Sequence, residues 1–169
     1  SGTTYLQNLL HTNNNITCLS QYESILPLGS IIHSVIFKKI LNKFFKIIKA
    51  KHPLHKTIIN INSPSEEDIA LCCSSYAHTP MWAHIYSKQA KYFFSKPLFS
   101  NKNSKESLLF KKMYSYLVKK LSFMNPDKIL LLKSPCNTTK INEILELFPE
   151  AKFIYIHRNP KDVYFSNMK

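Results

Sequence analysis

Pro126-Asp127-Lys128-Ile129-Leu130-Leu131-Leu132-Lys133-Ser134-Pro135 and, one helix later, Phe153-Ile154-Tyr155-Ile156-His157-Arg158-Asn159-Pro160 decide the fold class. Residues 129–132 form a short unbroken apolar run after a Pro-Asp turn, the pattern of a strand covered on both faces. Ile141, Ile144, Leu145 and Phe148 recur at steps of three and four, which marks a helix face, and Pro149 ends it. Residues 153–156 are a second apolar run, predicted as a second buried strand. Asn159-Pro160 then caps and opens another helix, with Asp162 in its first turn, where the helix dipole favours a carboxylate. Strand, helix, strand, helix predicts an α/β fold with a parallel sheet and crossover helices. Ligands of such sheets bind beyond the carboxyl ends of the strands, so Lys133, Ser134, His157 and Arg158 stand at the functional edge.

Upstream, Thr3 to His11 reads as the first turns of a helix, and Asn13-Asn14-Asn15 is turn chemistry. Residues 16–27 hold a short extended piece. Between 31 and 49, Ile32, Val35, Ile36, Ile40, Phe44 and Ile47 lie on one helical face, with Lys38, Lys39, Lys43, Lys46 and Lys49 between them. The expectation is a surface helix with its stripe in the core; the alternative is a basic amphipathic helix lying on a membrane. Ser63-Pro64-Ser65-Glu66 predicts a helix start running through Ile69, Ala70 and Leu71. Pro80 opens a segment with Met81, Trp82, Ile85 and Tyr86 on one face. After a polar loop at 101–105, Phe110, Met113, Leu117 and Leu121 give a further amphipathic helix.

At 169 residues and 19.7 kDa the chain suits one domain with a real core. Its 23 Lys+Arg against 10 Asp+Glu leave a net charge of +13, yet Arg158 is the only arginine. Lysine, asparagine and isoleucine abound together, so much of that charge reads as compositional bias on a solvated surface. A basic balance still favours polyanionic ligands. The lone arginine is more informative, because only a guanidinium offers a fixed bidentate fork to phosphate. No apolar run reaches the ~18 residues of a membrane span, and no secretory signal is visible. Cys18, Cys72, Cys73 and Cys136 form no CxxC pair, and Cys72-Cys73 with His78 and His84 matches no zinc spacing. Buried thiols and no structural metal are expected. With no initiator Met and an end at Lys169 inside a helix pattern, the chain reads as a fragment incomplete at both termini.

Ser1-Gly2-Thr3-Thr4 at a helix start is half of a phosphate cradle: the glycine permits close approach, first-turn amides face an anion, and hydroxyls add donors. A Walker-type nucleotide kinase places Lys directly after that glycine, where this chain has Thr3. Arg158, at a strand end, and Ser166, two turns into the next helix, are placed to face one phosphate. The bland alternative is that Arg158 pairs with Asp162 or caps a carbonyl.

Taken together, these blocks resemble the sulfotransferase superfamily, in the branch with an SGTT opening and a KSP central motif. The matching residues are 1–10, Gln21-Tyr22-Glu23, Ser65-Glu66-Glu67-Asp68-Ile69-Ala70-Leu71, the block from Leu132 through Lys133-Ser134-Pro135 to Thr138, and 147–163 with Ser166. They fall in the right order over nearly the whole chain. The resemblance implies a three-layer P-loop-like parallel sheet, with a helix-rich insertion at residues 30–125 on the acceptor side of a single partial domain, 1–169. It implies that the donor is 3′-phosphoadenosine-5′-phosphosulfate (PAPS) and that no metal is needed.

By the same resemblance, Ser1, Gly2, Thr3 and Thr4 cradle the 5′-phosphosulfate, Arg158 and Ser166 hold the 3′-phosphate, and Lys133 lies near the reacting centre. The family's base is a histidine in many members; here Pro135 and Asn137 occupy those places. Glu23 matches the carboxylate that other branches carry after the first helix and is the expected base, against a simple capping role. His11 and His157 are weaker candidates, with His157 expected to pack beside the strand end. Tyr76, Trp82, Tyr86, Tyr92, Phe93 and Phe94 line either a lipid, phenol or sugar acceptor site or the core. No specific nucleic acid is expected, membrane contact is allowed but not required, and a cytoplasmic location is expected. The competing class is a non-catalytic basic module that binds anionic membrane or nucleic acid through lysines.

Overall fold

The chain enters as a helix, α1 (Thr3–His11), followed by the Asx turn that the asparagine run predicts: the Asn15 amide donates to Asn13 Oδ1 at 2.9 Å. β1 (Ile16–Cys18), α2 (Gln21–Ile25), α3 (Val35–Ile47), α4 (Glu67–Ser74) and α5 (Met81–Ile85) come next, with a 3-10 turn at Ser87–Gln89. The long α6 (Lys105–Met124) leads to β2 (Ile129–Leu131), a 3-10 turn at Pro135–Thr139, α7 (Ile141–Leu147) and α8 (Pro160–Asn167). The structure is a computed structural model and describes residues 2–29, 35–47, 60–74, 81–93 and 104–168.

β1 and β2 pair in parallel, with Ile16 opposite Ile129 and Cys18 opposite Leu131. α6 is the column on which α4, β2 and α7 pack. Phe110, Tyr114, Leu117 and Leu121 are buried and step by four, three and four residues, so they share one face of α6. Leu117 and Leu121 close on Leu19 and Ala70, while Phe110 and Tyr114 close on Leu71 and Ile144. Leu132, just past β2, touches both clusters and joins the small sheet to the helices. Each fully buried leucine here stabilises the fold by about 1.5–3 kcal/mol.

Among the described residues the architecture is mostly helical with a two-stranded parallel sheet, the α/β character that was expected with fewer strands than a three-layer sheet carries. Residues 153–156 carry no regular secondary structure and pair with no strand among the described residues, and Phe153, Ile154 and Tyr155 are 44%, 65% and 78% exposed. A strand is made by a neighbour's backbone groups as much as by its own apolar side chains. Among the described residues β2 has such a neighbour in β1, and this run has none. His157 is exposed, not packed beside a strand end.

α4 starts at Glu67, later than the Ser-Pro cap predicts. The Ser63 carbonyl accepts the Gln21 amide at 2.9 Å and the Ser65 amide donates to the Leu19 carbonyl at 2.7 Å, so tertiary bonds hold this stretch out of the helix. The expected extended piece at 16–27 turns into α2 after β1. Ser20 Oγ accepts the Glu23 amide and Glu23 Oε2 accepts the Ser20 amide, a reciprocal capping box. α3 forms within the expected span, but its apolar stripe does not enter the core: Ile40, Phe44 and Ile47 are 60%, 55% and 69% exposed. Ile32 and Lys49 lie outside the described residues, as do the side chains of Val35, Ile36 and Lys46. Of the thiols, Cys18 is buried, Cys72 and Cys136 are half-buried and Cys73 is exposed.

Candidate functional site

α1 begins at Gly2 with φ of 85°, a left-handed conformation that glycine adopts without strain. The Gly2 carbonyl accepts the Leu6 amide at 2.9 Å, and Gly2, as the N-cap residue, supplies no side-chain cap of its own. Such an end carries outward-facing amides and the positive pole of the helix dipole, a fit for a phosphate or sulfate oxygen. Thr3 and Thr4 stand half-buried in that first turn; Ser1 lies outside the described residues.

One turn further, buried Gln7 donates through Nε2 to the Ser65 carbonyl at 3.3 Å. Ser65 Oγ donates to Ser24 Oγ at 2.9 Å. The next three residues are acidic, and each takes hold of the segment after β2. Lys133 Nζ pairs with Glu66, Asn137 Nδ2 donates to Glu67 Oε1, and Ser134 Oγ donates to Asp68 Oδ2. Lys140 Nζ lies 3.8 Å from Asp68 Oδ1 and 4.3 Å above the Phe110 ring. Tyr114 donates its hydroxyl to Glu67 Oε1 at 3.5 Å. The opening turn and Lys133 thus belong to one connected structure, with the 65–68 segment as the bridge.

Burial dominates the electrostatics of this clamp. It pushes the Glu67 carboxyl up to about 7, against the pull of Asn137 and nearby amides and with help from the Asp68 charge. The Cys136 thiol is pushed up to about 12, first by burial and then by Asp68, and the Cys18 thiol to about 11 by burial and Glu67. Both shifts disfavour the thiolate at neutral pH. Glu67 has the proton affinity of a general base, but it is fully buried among structural partners.

Glu23 is half-buried on α2, and its Oε2 takes both the Ser20 amide, at 2.8 Å, and the Ser20 hydroxyl, at 2.6 Å. Lys120 on α6 donates to the Pro27 carbonyl just beyond α2; burial lowers the proton affinity of its amine, and the Glu23 charge partly restores it. Glu23 therefore caps α2 and lies within electrostatic reach of Lys120.

Arg158 is exposed on the irregular stretch before α8, and no hydrogen bond or ion pair among the described residues joins it to Asp162 or to the opening turn. Asn159 caps α8 by accepting the Lys161 amide at Oδ1, 3.0 Å away, as expected. Ser166 sits in α8, and its side chain is outside the described residues. On the proposed acceptor side, Trp82 and Tyr86 stack with centroids 5.8 Å apart, and Phe93 stacks on Tyr86 at 6.1 Å and meets Tyr92 edge-on at 5.3 Å. Tyr86 and Tyr92 are exposed while Trp82 and Phe93 are half-buried; Tyr76 and Phe94 are outside the described residues. No group of three or more His, Cys, Asp or Glu able to hold a metal occurs among the described residues.

Sequence reasoning missed the clamp. Its signal was present, because three of only ten acidic residues in a strongly basic chain fall consecutively at 66–68. Buried carboxylates in such a chain mark places where lysines and amides must converge.

The family model of the sulfotransferase family matches residues 1–169, and the chain belongs to that family. Membership implies a P-loop-like α/β fold, of which the described residues contribute the two parallel strands and their helices. Two curated relatives, the omega-hydroxy-beta-dihydromenaquinone-9 sulfotransferases Stf3 of Mycobacterium bovis and Mycobacterium tuberculosis, are each 24% identical to it over 169 residues. The match covers 99% of this chain but 42% of each relative, so the chain spans less than half the length of the curated proteins it matches. No solved structure matches it.

Proposed function

We propose that this chain forms part of a PAPS-dependent sulfotransferase acting on the hydroxyl of a lipid-like small molecule. In that reaction the acceptor oxygen attacks sulfur, the bond between sulfur and the phosphate oxygen breaks, and adenosine 3′,5′-bisphosphate leaves. The acceptor proton passes to a base. The observation that carries the reading is the left-handed glycine entry to α1, tied through Gln7, Ser65 and Glu66 to the Lys133 ammonium. Prepositioned donors of this kind suit a transfer in which charge grows on the leaving phosphate. The hydroxyl named in the relatives' acceptor supports an alcohol on a lipid over an amine or a glycan.

Within this reading Ser1, Gly2, Thr3 and Thr4 bind the 5′-phosphosulfate, and Lys133 meets the charge on the bridging oxygen. Arg158 and Ser166 bind the 3′-phosphate; the exposed, unpaired guanidinium among the described residues supports that role. Glu23 is the proposed base, acting through Oε1, since Oε2 serves the α2 cap. The test is thermal unfolding with adenosine 3′,5′-bisphosphate against AMP. Stabilisation by the bisphosphate alone, lost in Arg158→Ala, is expected. Equal shifts from both nucleotides, or full retention in Arg158→Ala, would overturn the donor assignment. For the base, Glu23→Gln keeps a capping group, so turnover of the full-length enzyme should fall at least ~100-fold with its melting temperature held. Wild-type turnover in that variant removes Glu23 from the chemistry.

A further inference from the structure

We propose that α3 is a membrane-surface helix that lies on an anionic lipid bilayer. Ile40, Phe44 and Ile47 step by four and three residues along α3, so they form one strip, and all three are exposed. A strip of this size left in water is a standing cost unless something covers it. Lys39 and Lys43 flank it and are exposed. Lys38 turns the other way, its Nζ 5.3 Å from the centre of the Tyr22 ring, which pins the polar side of α3 to α2 and leaves the apolar strip outward.

The charge around α3 says which occupant fits. Between Glu23 and Glu66 there is no acidic residue and there are seven lysines, more than half of the chain's net +13. A second copy of α3 would bring those like charges together at the contact. A nucleic acid would use the lysines and leave Ile40, Phe44 and Ile47 in water. An anionic bilayer takes both: the strip sinks to the acyl boundary while the lysines remain among the headgroup phosphates. No helix among the described residues is long and apolar enough to cross a membrane, so the contact lies along the surface. The proposal does not rest on the sulfuryl-transfer reading.

The test is co-sedimentation of the full chain with phosphatidylcholine vesicles, with and without phosphatidylserine, at low ionic strength. Binding to the phosphatidylserine vesicles should exceed binding to neutral ones by at least ~10-fold. Phe44→Glu with Ile47→Glu, and separately Lys39→Glu with Lys43→Glu, should each weaken it by at least ~10-fold. Because all four sites are exposed, melting temperatures should stay within a few degrees of wild type. Arg158→Ala should bind vesicles as wild type does. Absence of vesicle binding overturns the proposal. So does binding untouched by the glutamate pair at 44 and 47, or binding abolished by an oligonucleotide at equal charge with no role for the apolar strip.

Discussion

The clamp at 65–68 and the arm at 151–168 carry the two halves of the same proposed donor site, and they are built in opposite ways. In the clamp, Glu66, Glu67 and Asp68 each grip a residue between 133 and 140, and Glu67 and Asp68 are sealed from water. In the arm, Phe153, Ile154 and Tyr155 stand exposed beside an equally exposed Arg158. A buried carboxylate must find cations and N–H donors or destabilise the fold, so the clamp determines its own geometry. The arm's apolar run meets no such demand within the described residues. The run stays without regular structure, with no partner strand among the described residues.

Asp68→Ala should break the first half of this contrast most severely. It strips Ser134 of its acceptor and leaves the buried Lys140 ammonium without its counter-ion, so a loss of about 3–5 kcal/mol is expected from urea denaturation. A loss below ~1 kcal/mol would mean that the clamp does not organise this region.

Glu67 supplies the next largest effect, and its sign is opposite to that of an ordinary salt-bridged acid. With its carboxyl at about 7 in the fold against an ordinary 4.5, the native state binds the extra proton. Its contribution is therefore full below about pH 4.5, falls as pH rises toward 7, and is lost above that, by about 3 kcal/mol in all. Unfolding free energies at pH 5 and pH 8 should show this decline in the wild type, and Glu67→Gln should flatten that part of the profile. An identical profile in the variant would mean that another group titrates.

Smaller again, Ser20→Ala removes the hydroxyl half of the α2 capping box and should cost about 1 kcal/mol in chemical denaturation. At the bottom of the scale, Tyr155→Ser and Arg158→Ala should each change stability by less than ~0.5 kcal/mol. A loss near 2 kcal/mol at Tyr155 would show that the arm is packed and would remove the contrast.

Much of this was legible from local pattern. α1, α6, α7 and α8 follow from helical spacing, from Asn159-Pro160 and from Asp162, because their signals lie within a few residues of one another. β2 falls where the run at 129–132 places it. α2 was equally local: Ser20 and Glu23 spell its cap, yet the apolar residues between 16 and 27 read as extended. The start of α4 was not local, since Ser63 and Ser65 spend their backbone groups on Gln21 and Leu19, far away in the chain. The candidate site divides in the same manner. Gly2, Lys133 and Arg158 stood out by residue type and place, whereas nothing in their spacing revealed that Glu66 would join Lys133 to the opening turn.

The sequence by itself determined α1, α6, α7 and α8, the glycine entry, the solitary guanidinium and the kinship with sulfotransferases, because these depend on residue type and short spacing. Only the tertiary structure decided which carboxylate meets which lysine, where α4 begins, and which apolar faces are covered. Those outcomes depend on groups distant in the chain competing to satisfy the same buried charges and backbone bonds, and no local window contains both partners.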